Sequence, residues 1–426
     1  MSATTIAGVH ARQILDSRGR PTVEAEVALA GGVVARASAP SGASTGKAEA
    51  FELRDGGEAW EGLGVNRAVG NVRETLARFL LGRDAEDQAD LDMHMRLADG
   101  TPNLARLGAN AILAVSLASA RAAAMVRGQP LWRRFADLSG AAPSMPMPMV
   151  NILSGGMHAG GGMDVQDYLA IPVGARSFSE ALDWMCRVRS AAAGLCAELG
   201  LSTLLADEGG LSPGFARPDE ALSLMMQAFD RAGLRPGEDV AIAVDVASSG
   251  LIDADGAYSL LKLGRRLSAS EMIEMQAGWI ARYPIVSIED GLGEDDWLNW
   301  PAMTERLGTI QIVGDDLFAT QPDRIRQGVR AGVANAVLIK ANQNGTVTGA
   351  LEAVTVTRAA NYATVISARS GETEDEFLAD FAVGVGGGQI KIGSVRNSER
   401  MAKYNQLSRI EELGLPWTGR SGLAPL

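Results

Sequence analysis

The sequence YPIVSIEDG at residues 283–291 is a short apolar run that ends in two acids, and it represents a pattern that occurs seven times. The other runs are LSTLLADEGG at 201–210, VAIAVDV at 240–246, IQIVGDD at 310–316, NAVLIKAN at 335–342, ATVISARSG at 363–371 and GGQIKIG at 387–393. Between Glu289, Asp315, Lys340, Arg369 and Lys391 the steps are 26, 25, 29 and 22 residues. Each step is about the length of one strand plus one helix in a (β/α) barrel. The spacing therefore predicts an α/β fold with a parallel barrel whose strand-end polar residues meet at one face.

The first third of the chain has a different pattern. Alternating or helical apolar spacing predicts strands at 22–29 and 33–37, followed by helices around 72–81 and 109–126. A proline-rich stretch around Pro143 then stops any helix. The 426 residues are too many for one ordinary core. We therefore expect two domains, residues 1–142 and 143–426.

Composition narrows the functional classes. The chain has 51 acids against 39 basic residues and a net charge of -12, which disfavours binding to nucleic acid or to an anionic membrane surface. Two cysteines, Cys186 and Cys196, make neither a disulfide framework nor a zinc site. Polar residues interrupt the apolar stretch 109–126, and the first residues lack a signal-peptide pattern, so we expect a cytoplasmic protein.

Three of the strand-end residues are carboxylates. Asp245, Glu289 and Asp315 should meet at the mouth of the barrel, where three anions need a cation. Oxygen ligands alone favour Mg²⁺, with Mn²⁺ second. The alternative is that these acids cap helices or pair with arginines.

Lysine is rare, and two of the five lysines end predicted strands. Lys340 follows NAVLI and Lys391 follows GGQI, whereas arginine supplies 34 of the basic residues. A lysine can give up its proton where an arginine cannot, and desolvation beside other cations lowers its pKa. These amines are candidates for a general base and for a partner of a substrate carboxylate. Ordinary salt bridges to the strand-end acids are the alternative.

Further candidates lie in loops. Glu208, in ADEGG, is expected at an early strand end and is a candidate acid. Arg369 and Ser370 precede residues 373–376, TEDE, which resemble a capping box and hence a helix start, a combination that suits phosphate. Two glycine-rich loops, PSGASTGK at 40–47 and SGGMHAGGG at 154–162, could act as lids. The first lacks the spacing of a P-loop, and the second carries His158.

Several longer motifs make the chain similar to enolases, the Mg²⁺-dependent enzymes that interconvert 2-phosphoglycerate and phosphoenolpyruvate. They are DSRG at 16–19, PSGASTG at 40–46, DEGG at 207–210, YPIVSIEDG, VGDDL at 313–317, SGETED at 370–375 and SERMAKYNQ at 398–406. The resemblance implies an enolase-like fold, a modified (β/α)8 TIM barrel with an α+β N-terminal capping domain. It also implies one or two Mg²⁺ per subunit and a homodimer.

The resemblance assigns roles to individual residues. It implies that Asp245, Glu289 and Asp315 bind the first Mg²⁺ and that Ser44 helps to bind the second. The remaining roles are a base that removes the C2 proton (Lys340), a partner for the substrate carboxylate (Lys391), an acid on the leaving hydroxyl (Glu208) with its acidic partner (Asp167), phosphate ligands (Arg369 and Ser370) and a histidine that closes over the substrate (His158).

Departures from the family pattern lie mainly on one side of the expected site. Ala368 stands where enolases have a histidine, and Asp167 stands where they have a glutamate. Other departures are Arg20 for asparagine, Gly250 for glutamate, and Ser394 with Val395 for Ala-Pro. The residues that form the ene-diolate are retained, whereas those around the departing hydroxyl have changed. The space at Ala368 is expected to admit a bulkier reactant.

These changes favour a specialised paralog that acts on a small phosphorylated or phosphonylated carboxylate and forms an enolpyruvate ester. A known relative of that kind makes carboxyphosphonoenolpyruvate in phosphonate biosynthesis. One alternative is an ordinary glycolytic enolase, a phosphopyruvate hydratase. Another is a non-catalytic enolase-like structural or binding protein, which the retained carboxylates and lysines disfavour.

Overall fold

The computed structural model describes residues 2–43 and 45–424. Its strands are β1 (Ile6–Leu15), β2 (Pro21–Leu29), β3 (Val34–Ser38), β4 (Met147–Ser154), β5 (Asp167–Ile171), β6 (Ala241–Asp245), β7 (Tyr258–Leu260), β8 (Arg265–Leu267), β9 (Ile285–Glu289), β10 (Gln311–Gly314), β11 (Ala336–Ile339), β12 (Ala363–Ser367) and β13 (Gln389–Lys391).

The helices alternate with the later strands. They are α1 (Asn66–Asn71), α2 (Ala77–Leu80), α3 (Gln88–Asp99), α4 (Ala109–Val126), α5 (Leu131–Ser139), α6 (Phe178–Glu198), α7 (Pro218–Arg231), α8 (Ala269–Ile280), α9 (Trp300–Leu307), α10 (Pro322–Ala331), α11 (Ala341–Asn344), α12 (Val347–Ala359), α13 (Phe377–Gly384) and α14 (Ser398–Glu411). A π-helical turn, Val72–Leu76, joins α1 to α2, so the helix predicted at 72–81 is the second part of a longer one.

Eight strands close into a barrel in the order β4, β5, β6, β9, β10, β11, β12 and β13. β5 runs antiparallel to both of its neighbours, and the other pairs are parallel. The predicted fold class, a modified α/β barrel beside a smaller N-terminal α+β unit, is therefore confirmed.

Six of the seven apolar runs form barrel strands, but the run at 201–210 does not. It lies in a loop between α6 and α7, so the prediction that Glu208 ends a strand is wrong. The two strands that complete the barrel are β4 and β5. β4 begins inside the proline-rich stretch and includes Pro148, and β5 runs in the opposite direction to its neighbours. Neither strand is an apolar run that ends in an acid, which is the pattern of the predicted parallel strands.

The N-terminal unit is a three-stranded antiparallel sheet, β1-β2-β3, with α4 packed on β2 and β3. Helix α4 has the length and composition of a membrane-spanning helix, but 83% of it is buried inside the protein. Ala-rich composition lets this helix approach the sheet closely, so it serves as the centre of the N-terminal core.

One predicted helix start is wrong. Residues 373–376 do not form a capping box: α13 begins at Phe377, and its N-cap, Glu376, makes no side-chain cap. The N–H of Phe377 donates to Oδ1 of Asp375 at 3.0 Å. The hydroxyl of Thr373 instead hydrogen-bonds to the hydroxyl of Ser38 in β3, 2.5 Å away. Arg369 and Ser370 are thus placed by a loop, and the helix N-terminus expected beside them lies several residues further along.

Candidate active site

Most of the predicted site residues line one small cavity at the mouth of the barrel. The cavity has a volume of about 20 Å³, room for about one water molecule. Its lining includes the residues expected to bind substrate and move protons, His158, Glu208, Asp245, Lys340, Arg369, Ser370 and Lys391. Residues at the ends of four barrel strands, β6, β11, β12 and β13, thus meet residues from two loops.

Two of the expected metal carboxylates share one lysine. The Nζ of Lys391 lies 2.9 Å from Oδ2 of Asp245 and 2.8 Å and 2.9 Å from the two carboxylate oxygens of Glu289. Gln166 also donates to Asp245, at 3.2 Å. All of these side chains are buried. Burial and the neighbouring Asp245 raise the pKa of Glu289 well above its usual value, and Lys391 opposes this shift.

The third carboxylate pairs with the candidate base. The Nζ of Lys340 lies 2.5 Å from Oδ2 of Asp315, and Gln343 donates to the other oxygen at 2.9 Å. Burial by itself lowers the pKa of Lys340, but Asp315 outweighs it, and the pKa is raised. The expectation that this lysine has a lowered pKa is therefore wrong for the arrangement seen here. In this pairing the ammonium keeps its proton, because the carboxylate of Asp315 stabilises the charged form.

More acids than lysines surround this point. Asp290 and Asp316 lie beside Asp315, and ligand oxygens of these three residues lie within 4.8 Å of one another. Burial and Asp315 raise the pKa of Asp316 to about 7, and that of Asp290 is also raised. An oxygen-only donor set with excess negative charge fits a hard divalent cation. Ser44, the expected ligand of a second ion, lies outside the described residues.

On the opposite side, a histidine links two acids. Asp167 accepts hydrogen bonds from the hydroxyl of Ser154 at 2.5 Å and from Nδ1 of His158 at 3.0 Å. The Nε2 of His158 lies 3.9 Å from Glu208, which also accepts from Asn151 at 3.1 Å. Asp167, although one methylene shorter than the glutamate it replaces, therefore still orients the histidine.

Protonation of this group follows from its charges. Burial lowers the pKa of His158, but Glu208 and Asp167 outweigh burial and raise the pKa to about 9. Burial raises the pKa of Glu208, but His158 and Arg400 outweigh it, so this pKa is lowered. At neutral pH the imidazole of His158 is therefore protonated, and the carboxylate of Glu208 beside it is ionised.

The expected phosphate ligands are held by the N-terminal unit. The guanidinium of Arg369 lies 2.9 Å and 3.2 Å from the carboxylate oxygens of Glu49 and also donates to Asn342 at 3.0 Å. Ser370 accepts from the backbone N–H of Ala43 at 2.7 Å and from Arg18 at 3.1 Å. Gly42 and Ala43 of the first glycine-rich loop therefore lie directly against the expected phosphate ligands.

The SERMAKYNQ motif forms the first part of helix α14, and two of its side chains hold the loop at residues 369–373. Arg400, fully buried, donates to the backbone carbonyls of Arg369 and Ser370 at 2.7 Å and 2.6 Å. Lys403, also fully buried, donates to the carbonyl of Thr373 at 2.5 Å. These charged hydrogen bonds fix the backbone of residues 369–373 without a helix start.

The wall of the cavity at Ala368 is closed. Ala368 is 5% exposed and lines the cavity of about 20 Å³. In this arrangement the cavity beside Ala368 holds about one water molecule, so a bulkier reactant would have to enlarge it. A larger cavity of about 660 Å³ lies on the other side of Asp245 and is lined by another departure, Gly250.

Sequence reasoning missed several residues that orient the site. Glu49 contacts Arg369, Asn151 contacts Glu208, and Arg18 contacts Ser370. Arg18 lies inside the DSRG motif, and Asn151 is a polar residue within the buried run of β4, so both had a recognisable signal. Glu49 had no recognisable signal apart from its position two residues after the glycine-rich loop at 40–47.

Comparison with protein families covers almost the whole chain. Residues 6–135 match the family model of the enolase N-terminal domain. Residues 142–418 match that of the enolase C-terminal TIM barrel domain. Enolases are generally Mg²⁺-dependent, in agreement with the acidic groups at the barrel mouth. With both parts of its barrel-and-cap architecture matched in order, this chain belongs to the enolase family.

Proposed function

We propose that the protein removes the proton on the carbon beside the carboxylate of a 2-phosphoglycerate-type substrate, through an ene-diolate that leads to a phosphoenolpyruvate-type product. The observation that carries the proposal is the single cavity that joins Lys340, Lys391, Glu208 and Arg369. Lys340 accepts the C2 proton, and Arg369 with Ser370 binds the phosphate. Lys391 lies where it can neutralise the substrate carboxylate.

Asp245, Glu289 and Asp315 would hold Mg²⁺, whose charge stabilises the dianion when it is bound. Lys391 and Lys340 occupy these oxygens in the structure, so an ion held there would require both amines to turn away. Both amines would then be available for their proposed roles.

The finer proposal is a specialised paralog that forms an enolpyruvate ester, as the relatives that make carboxyphosphonoenolpyruvate do. Support comes from the side of the site around the leaving hydroxyl. Ala368 supplies no imidazole, so proton delivery depends on the pair formed by His158 and Glu208. A shortened acid, Asp167, positions that pair. Loss of a proton donor slows hydroxide departure more than it slows C2 deprotonation.

The second candidate, phosphopyruvate hydratase activity, is favoured by the contact that Glu208 retains with His158. The two functions differ in measurable rates. With Mg²⁺ and 2-phosphoglycerate in D₂O, NMR follows exchange of the C2 proton, and ultraviolet absorbance follows phosphoenolpyruvate. The ester-forming paralog is expected to exchange the proton much faster than it eliminates water from 2-phosphoglycerate alone. When phosphonoformate is added, it is expected to form the phosphonoformate ester of enolpyruvate with release of phosphate and water.

If phosphoenolpyruvate appears as fast as the C2 proton exchanges, the protein is a hydratase and the ester-forming proposal is wrong. If the C2 proton does not exchange, both proposed functions are wrong. The double variant Asp167→Glu/Ala368→His restores the family residues and is expected to raise the elimination rate while leaving exchange within about twofold, since C2 deprotonation depends on Lys340.

A further inference from the structure

A second cavity adjoins the proposed reaction site. Its volume of about 660 Å³ is within the range of ordinary ligand pockets, and it is far larger than the cavity of about 20 Å³ beside it. The two cavities share Gln166 and Asp245 in their linings. A molecule in the large cavity would therefore lie next to the reacting atoms.

The walls of this cavity are mostly apolar. Side chains that line it are Met157, Met163, Val246, Leu251 and Leu261. Two of them, Met157 at 60% and Leu261 at 82%, are among the largely exposed apolar residues of the chain. Exposed apolar side chains gathered around one cavity indicate a surface that a ligand covers.

The two walls are tied together. One wall is the second glycine-rich loop together with the residues that follow it as far as Asp164. The other wall is the segment at residues 261–263, which leads into β8. Asp164 from the first wall accepts the backbone N–H groups of Lys262 and Leu263 from the second, each at 2.9 Å. This carboxylate clamp sets the distance between the walls, so the space is part of the fold.

Gly250 keeps the cavity open. A Cβ built at this position meets no atom within 4 Å, and the residue does not have a positive φ. Any side chain could therefore be accommodated by the backbone and would extend into free space. The glycine, which stands where enolases carry a glutamate, thus leaves volume that a side chain would otherwise occupy.

The charged residues of the lining are unequal in number. Five carboxylates line the cavity, those of Asp164, Asp245, Asp290, Asp315 and Asp316, and Lys262 is the one basic residue in the lining. Among the described residues, the other lysines each pair with a carboxylate, namely Lys47, Lys340, Lys391 and Lys403. Lys262 has no such partner and is exposed. It is the group available for an anion.

We propose that this cavity binds the second reactant of an ester-forming reaction, an organic anion with an apolar body. Its anionic group, a carboxylate or a phosphonate, pairs with Lys262, and its body lies against Met163 and Leu251. The inference rests on the proposed function, because only a two-substrate reaction needs this subsite next to the proton-transfer groups.

The test compares phenylphosphonate with methylphosphonate, two probes that differ in the apolar body, by calorimetry with Mg²⁺ present. The wild-type protein is expected to bind phenylphosphonate about tenfold more tightly. Gly250→Leu fills the cavity and should abolish this preference. Lys262→Met should weaken both probes about fivefold, whereas Arg265→Met, an exposed arginine on the same hairpin outside the lining, should change neither.

A second variant covers the event that Gly250→Leu fails to fold. Leu261→Asp changes an exposed side chain at the cavity mouth and should also remove the preference, whereas Leu298→Asp, 88% exposed and outside the lining, should preserve it. Equal affinity for both probes, or a preference that survives Leu261→Asp, would overturn the subsite. C2 proton exchange by the wild-type protein is measured separately. If exchange occurs but the wild-type protein does not prefer phenylphosphonate, only the subsite is wrong. If the preference is present but exchange is absent, the proposed reaction is wrong.

Discussion

The ammonium of Lys391 lies 2.8 Å and 2.9 Å from the two carboxylate oxygens of Glu289. A lysine at the end of β13 thus holds a carboxylate from the end of β9, one of the three acids proposed to bind Mg²⁺. Binding of a divalent ion at this carboxylate, in place of the Lys391 ammonium, is therefore the first consequence of the structure to measure.

Mg²⁺ is expected to stabilise the folded protein, because it binds the carboxylates only in their folded arrangement. A concentration about 100 times the Kd should add about 2.7 kcal/mol to the free energy of unfolding. Thermal unfolding measured with and without Mg²⁺ checks this. Glu289→Gln should lose most of the shift, whereas Glu274→Gln, on an exposed pair with Arg306, should keep it. An unchanged Tm in the wild-type protein would contradict the metal site.

Replacement of Lys340 should stop C2 proton exchange. Lys340→Ala is expected to lower the exchange rate by about 10²–10⁴-fold, the usual contribution of a general base. Lys340→Arg is the sharper variant, because arginine keeps a cation beside Asp315 but cannot accept the proton. NMR in D₂O measures both variants. Exchange near the wild-type rate in Lys340→Arg would assign the base to another residue.

Glu49 should compete with anions for Arg369. In Glu49→Gln the guanidinium loses its charged partner, so inorganic phosphate is expected to bind about fivefold more tightly, equivalent to about 1 kcal/mol. Calorimetry with phosphate measures this affinity. Glu86→Gln removes a half-buried acid that pairs with Arg127, away from Arg369, and should have no effect. Weaker binding in Glu49→Gln would show that Glu49 chiefly positions Arg369.

His158 should titrate near pH 9. Its pKa is raised from 6.5, so the stabilisation from the charged imidazole is fully present below pH 6.5 and is lost as the pH rises through about 9. NMR of the imidazole protons gives the pKa. Asp167→Asn should lower it toward 6.5, and Asp167→Glu should keep it raised. A wild-type pKa near 6.5 would mean that Glu208 and Asp167 do not act on this histidine as charged groups.

The sequence by itself determined most of the barrel and several of its site residues. Six apolar runs that each end in a polar residue became strands, because alternation of one strand and one helix repeats at a nearly constant chain length. Carboxyl ends of parallel strands lie on one side of a barrel. Glu289 and Lys391 were therefore placed at the same mouth without knowledge of any contact.

Tertiary structure alone decided how those residues pair. Glu208 reaches the site from a loop, and Glu49 reaches Arg369 across 320 residues of chain. The raised pKa of Lys340 likewise depends on Asp315, 25 residues away. Local periodicity encodes strands and helices, whereas these pairings exist only after distant segments close around the barrel. The open space at Gly250 has the same origin, because a cavity is a property of facing walls.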